Sequence, residues 1–276
     1  MSEFLANVSN FAVLVFVVTC MVAAGLGLTV RGVLAPLRNV RLVVFALLAN
    51  FVAAPAIAWG LTQLVSLERS YEIGLLLVGG AAGAPFLPKL AALAKGDIPF
   101  SVGLMLLLTL GSVAFLPLAL PVLIPGLEAK PWPILKPLLV TMLLPLAGGM
   151  AIRSRSEYWS GKLRPIVGAV SNVSMIVAVV LLIGLNVEPL LGTVGTGAAA
   201  VGVAFVVLAF GVGFALGGPA PSIRSVLALG TAQRNVAAAL LIATQNFDEP
   251  GVVVMLLVTT LAGLVVLVIA ARWLAR

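Results

Sequence analysis

The sequence contains no histidine, a single cysteine, two tyrosines and only nine acidic residues in 276. Each shortage removes a class of chemistry. Without imidazole there is no histidine-ligated metal site and no histidine acid/base catalysis. The lone Cys20 forbids an internal disulfide framework. Charged residues make up 9% of the chain, where a typical soluble domain has about 25%. So few charges cannot cover a water-soluble body of this length, and the implied solvent is a lipid bilayer. What the chain has in abundance is hydrocarbon: 62% hydrophobic residues and a mean hydropathy of +1.24.

The pI of about 10.3 is in the range of nucleic-acid binders. The cations, however, sit in short loops between apolar blocks, which is a membrane-topology pattern and gives no nucleic-acid partner. The opening "MSEFLANVSN" has no Lys or Arg and carries Glu3, so it is not expected to act as a signal peptide. The downstream "VVTC" is read as part of an apolar span, not as a lipoprotein cleavage box.

A bilayer core of roughly 30 Å takes about 20 residues of helix. Nine apolar blocks meet this length, at about 11–30, 41–65, 72–94, 98–123, 134–152, 165–187, 194–217, 222–244 and 251–272. No polar domain or low-complexity linker separates them. The expected fold is therefore one all-α membrane domain over 1–276, with about nine transmembrane helices. Its two repeats are placed at about 11–123 and 134–273.

Of the sixteen Lys and Arg residues, Arg69, Lys130 and Lys136 fall in loops on one side, and Lys89 and Arg234 fall within spans. The other eleven, Arg31 and Arg38 among them, fall on the opposite side. The positive side faces the cytoplasm, which puts the N-terminus outside and the C-terminus inside. Asp97 and Glu157 then lie inside and the other acids, including Glu128, outside. No carboxylate is left within the bilayer.

The two stranded cations lie in the two spans that are least like continuous helices. The third block, "YEIGLLLVGGAAGAPFLPKLAALAK", gathers Gly79, Gly80, Gly83, Pro85 and Pro88 near its middle. Proline removes a backbone donor and clashes with the preceding turn, so the helix is expected to break there. The eighth block, "SIRSVLALGTAQRNVAAALLIATQ", is interrupted by Gly230, Thr231, Gln233, Arg234 and Asn235. Two interrupted spans of opposite direction, similarly placed in each half, suggest an inverted repeat. In transporters such breaks meet near the midplane and form the substrate site. Irregular backbone is tolerable there only if buried in protein or lining a wet cavity. Half-helix N-termini present a positive field; Lys89 and Arg234 would add to it, favouring an anion. Ordinary roles exist for both cations. Lys89 is close enough to Lys95, roughly 9 Å along a helix, to snorkel, and Arg234 could pair with backbone carbonyls.

Asn50, Ser101, Thr109, Ser171, Asn172 and Ser174 are either cavity-lining groups or the usual hydrogen-bonding links between membrane helices. Pro55, Pro117, Pro121 and Pro145 are read as kinks. The glycines of "GTVGTGAAAVGVAF" are read as close helix packing, not as a phosphate loop.

Four segments, "AGLGLTV", "LLANFVAAPAIAWGL", "LLLVGGAAGAPFLPKLAALAKGDIPFSV" and "ALGTAQRNVAAALL", together resemble the bile acid:sodium symporter family, in order over nearly the whole chain. The resemblance implies a panel domain and a core domain, with crossing broken helices, and transport of organic anions from bile acids to small carboxylates such as pantoate. It aligns the first span here with the second helix of ten-helix bacterial members. It implies two sodium sites, and their ligands are largely replaced. The family's Ser-Asn pair falls on Leu87 and Pro88, and its shared acid on Gly230. Its glutamines fall on Asn50 and Arg234, and a threonine on Met105, while Ser101 and Asn235 are retained. A guanidinium beside a hard cation repels it.

The expected protein is thus a multi-pass inner-membrane carrier of small organic anions in a bacterium, not an enzyme, with no catalytic residues and no cofactor. Sodium is disfavoured, and the chain is expected to act as a monomer. The substrate-binding candidates are Arg234, Lys89, Asn235, Gln233, Thr231, Asn50 and Ser101; the helix-break residues are Gly83, Pro85, Pro88 and Gly230. Lys89, which can lose a proton where Arg234 cannot, is a candidate for proton coupling. The competing expectations are a sodium-coupled symporter with rebuilt ligands, and a membrane anion sensor or channel-like protein.

Overall fold

The computed structural model describes residues 2–29, 39–124, 131–193 and 195–276. The topology residues Arg31, Arg38, Glu128 and Lys130 lie outside them. Among the described residues there is no strand. The helices are α1 (Ser2–Leu26), α2 (Val40–Leu64), α3 (Arg69–Gly80), α4 (Leu87–Leu93), α5 (Ile98–Leu123) and α6 (131–155). They continue as α7 (Glu157–Leu185), the short α8 (Val187–Gly192), α9 (Ala198–Leu216), α10 (Pro221–Ala232), α11 (Val236–Asn246) and α12 (Pro250–Leu274).

Among the described residues, eight segments are long and apolar enough to cross a bilayer, the α10–α11 pair counting as one. The α3–α4 pair, too interrupted to count by length, supplies the ninth crossing. The order long, long, broken, long occurs twice, as α1, α2, α3–α4, α5 and as α7, α9, α10–α11, α12. Helix α6 stands between the two runs.

Helix ends differ from the hydropathy blocks where a cap, not apolarity, sets them. Helix α7 starts at Glu157 instead of near 165, because the Ser156 hydroxyl accepts the Trp159 N–H at 3.2 Å. Helix α1 begins at Ser2, ahead of the apolar block at 11–30. Asp97 caps α5, accepting from the Phe100 N–H at 2.8 Å. The prolines act in two ways. Pro117 and Pro121 sit within the uninterrupted α5. Pro55 and Pro145 each follow a π-helical turn, at Ala49–Ala53 and Leu139–Leu143, which accommodates the donor that proline lacks.

Helix α1 packs against α6 and α7 to form one layer. It approaches α6 so closely that a Cβ on Gly25 would stand 2.2 Å from the Leu146 carbonyl oxygen. A Cβ on Gly149 would stand 2.5 Å from that of Val22. Small residues allow such backbone contact where the hydrophobic effect gives no preference for helix over lipid. Helices α2 to α5 and α9 to α12 pack among themselves as a second body. The broken α10–α11 segment is its centre, with 89% of its apolar window buried, while α7 has 17% and faces lipid.

Candidate functional site

The first break is held by its neighbour α5. After Gly80 the backbone turns through residues 81–86, with Gly83 at φ +85°. The Ala82 N–H donates to the Ser112 hydroxyl at 2.8 Å, and that hydroxyl donates to the Ala82 carbonyl at 2.9 Å. The Thr109 hydroxyl donates to the Gly83 carbonyl at 2.8 Å. These bonds satisfy the Ala82 N–H and the Ala82 and Gly83 carbonyls inside the membrane, where an unpaired backbone group is costly. Pro85 lies in the break. Pro88 does not: it occupies the first turn of α4, where the missing N–H is no loss, and it starts a helix instead of ending one.

The second break is shorter. Helix α10 continues through Gly230 and Thr231 to Ala232, and the chain leaves helical geometry only over Gln233, Arg234 and Asn235. The expectation that Gly230 breaks the helix is therefore corrected: it is an in-helix residue whose missing side chain matters for packing. Asn235 caps α11, accepting from the Ala238 N–H at 3.2 Å.

The two breaks touch. The Asn235 N–H donates to the Ala81 carbonyl at 2.7 Å, and its side-chain amide donates to that of Gly83 at 3.2 Å. Arg234 completes the junction, 5% exposed, with every N–H of its guanidinium donated to protein. Nε reaches the Val78 carbonyl at 3.0 Å. Nη1 reaches the Asn50 side-chain oxygen at 2.9 Å and the Thr231 carbonyl at 3.0 Å. Nη2 reaches the carbonyls of Gly79 at 2.5 Å and Asn50 at 3.4 Å. Val78 and Gly79 end α3 and Thr231 ends α10, so the cation sits at two negative helix C-termini. The expected geometry had half-helix N-termini and both cations forming one field; Arg234 is instead turned toward the carbonyl ends. Asn50 is oriented by donating to the Ala46 carbonyl at 3.0 Å and to the Thr231 hydroxyl at 3.3 Å.

The residues at the implied sodium positions do not fit sodium. A Cβ on Gly230 would lie 3.0 Å from methyl carbons of both Leu87 and Leu104, which fill the place of an acidic side chain. Leu87, Leu104 and Met105 are buried hydrocarbon. The Ser101 hydroxyl is turned to its own helix, donating to the Ile98 carbonyl at 2.7 Å. A hard cation needs oxygen ligands, and the oxygens that converge here already hold a guanidinium.

Beside the junction lies a cavity of about 300 Å³, between the α1–α7 layer and the crossing helices. Lys89, Gln233 and Arg234 line one wall; Cys20 of α1 and Ser171 and Asn172 of α7 line the other. Lys89 is exposed, its Nζ 5.3 Å from the centre of the Phe86 ring. Among the described residues it has no ion-pair or hydrogen-bond partner. The structure thus brings Lys89, Gln233 and Arg234 to the cavity and places Asn50, Thr231 and Asn235 behind it, fully buried. Ser101 lies apart. Sequence reasoning missed Ser112 and Cys20. A serine or cysteine in an apolar helix carries no mark of the segment it will face.

The family model for sodium bile acid symporters matches residues 13–193, about two thirds of the chain. The chain belongs to the sodium bile acid symporter family. As a member of it, the protein is a multi-pass membrane transporter. The matched stretch includes Asn50 and the first break and ends before α9, so Arg234 lies beyond it. No curated protein matches the sequence.

Proposed function

We propose that this family member carries organic anions by alternating access without sodium, with Arg234 as a permanent cation at the crossing of the broken helices. The observation that supports the reading most directly is the set of five guanidinium hydrogen bonds to Val78, Gly79, Thr231 and Asn50. A bound cation at this crossing would neutralise the same helix C-termini; here the neutralising charge belongs to the protein. The leucines against Gly230 point the same way, because they leave no room for a carboxylate ligand.

The roles of the two cations then separate. Arg234 has no N–H left for a ligand and attracts an anion through its field. Lys89 presents a free ammonium on the cavity wall and contacts the carboxylate or sulfate directly. The membrane is the cytoplasmic membrane of a bacterium, with the N-terminus outside, as the distribution of Lys and Arg favours.

The test begins with a thermal-shift screen of organic anions on purified protein, followed by flux of the stabilising anion into reconstituted vesicles. Replacing sodium by choline is expected to leave initial uptake unchanged. Uptake that rises several-fold with a sodium gradient would refute the reading.

A further inference from the structure

We propose that the protein is an obligate anion exchanger, in which the ammonium of Lys89 lets the carrier reorient only with an anion in the cavity. This rests on the sodium-independent reading above and concerns the return half of the cycle. A counter-ion that binds from solution can leave with the substrate, so the emptied site closes neutral. A counter-ion built into the chain cannot leave.

The two built-in cations differ in what emptying the cavity does to them. Arg234 keeps all five of its acceptors whether or not an anion is present, since all are protein oxygens. Lys89 has no ion-pair or hydrogen-bond partner among the described residues, and its ammonium lies over the Phe86 ring. No carboxylate among the described residues lines the cavity, and most of its wall is hydrocarbon from residues such as Phe16, Met175, Val179 and Leu264. In the open cavity water solvates the ammonium. Closure removes that water and leaves an unpaired charge in an apolar enclosure, which is strongly unfavourable. A bound carboxylate replaces the water with a charge-assisted hydrogen bond, and the enclosed pair is neutral. The loaded carrier therefore reorients, and the empty one is held open on one side until an anion binds there.

Cys20, the chain's one thiol, lines the same cavity and reports its opening without knowledge of the substrate. Right-side-out and inside-out membrane vesicles, washed free of organic anions in choline chloride, are treated with a membrane-impermeant thiol reagent, with Cys20→Ser as background. The wild type is expected to label from one side, about 100-fold slower from the other. Lys89→Arg, which keeps the charge, should stay one-sided, and Lys89→Met should label from both sides. Two-sided labelling of the wild type in choline overturns the exchange mechanism, as does one-sided labelling that persists in Lys89→Met. If sodium alone makes the wild type two-sided, the sodium-independent reading itself falls, a result distinct from the other two.

Discussion

Arg234 is in a position where its chemistry, and not only its charge, is used. Five donors in a rigid fork meet carbonyls arriving from α2, α3 and α10. Lysine keeps the charge but offers three donors from one atom, so it cannot replace all five bonds. Alanine would leave the Gly79 and Thr231 carbonyls and the Asn50 amide oxygen without the donors they now have, and the Val78 carbonyl with only the Ala81 N–H at 3.3 Å. At about 1–3 kcal/mol for each orphaned group, Arg234→Ala should cost about 3 kcal/mol or more. Arg234→Lys should fall between it and the wild type. Thermal unfolding in detergent measures both, and an unchanged Tm for Arg234→Ala would show that the junction does not depend on the guanidinium. The sequence left open whether this arginine faces an anion or backbone carbonyls. Its partners lie 155 to 184 residues away in the chain, except for Thr231. No local pattern encodes them.

Among the elements, the first break depends on backbone geometry that a side chain would disturb. Gly83 combines φ +85° with a site where a Cβ would stand 2.2 Å from the Thr109 nitrogen. Gly83→Ala must either push α5 away or change the turn, and then the Thr109 and Asn235 bonds to the Gly83 carbonyl are lost with it. A loss of about 2–4 kcal/mol is expected, from strain together with the broken bonds. Gly60→Ala, inside α2 with nothing within 4 Å of an added Cβ, provides a comparison in a helical setting. The Tm difference between the two variants measures what the turn itself contributes. The glycine and proline cluster did announce this break in the sequence. Pro88 and Gly230 were misassigned because each residue type has two uses. Proline starts helices as well as ending them, and a helical glycine permits close packing, here against Leu87 and Leu104.

At the scale of the whole molecule, a cavity lined by two cations and, among the described residues, by no carboxylate makes one consistent electrostatic arrangement. A protein that bound sodium in its folded state would gain stability as sodium rises. On the sodium-independent reading proposed above, this one is expected to show the same Tm in about 0.2 M sodium as in equal potassium, because no site would have a differential affinity to link. A sodium-specific rise of several degrees would require a cation site elsewhere. Composition determined that the solvent is lipid, since 9% charge cannot cover a soluble surface. Helical length then determined about nine crossings, and the glycine and proline cluster of the third block and the polar run of the eighth marked where two of them are interrupted. Only the tertiary structure decided which oxygens hold Arg234, that leucines occupy the space beside Gly230, and that Lys89 stands on a cavity wall facing Cys20 and Ser171. The physical reason is range. Transfer to lipid, helix length and backbone breaks depend on residues within a few turns of one another. A buried charge is neutralised by whatever groups folding brings within about 3 Å, and those come from segments far apart in the chain.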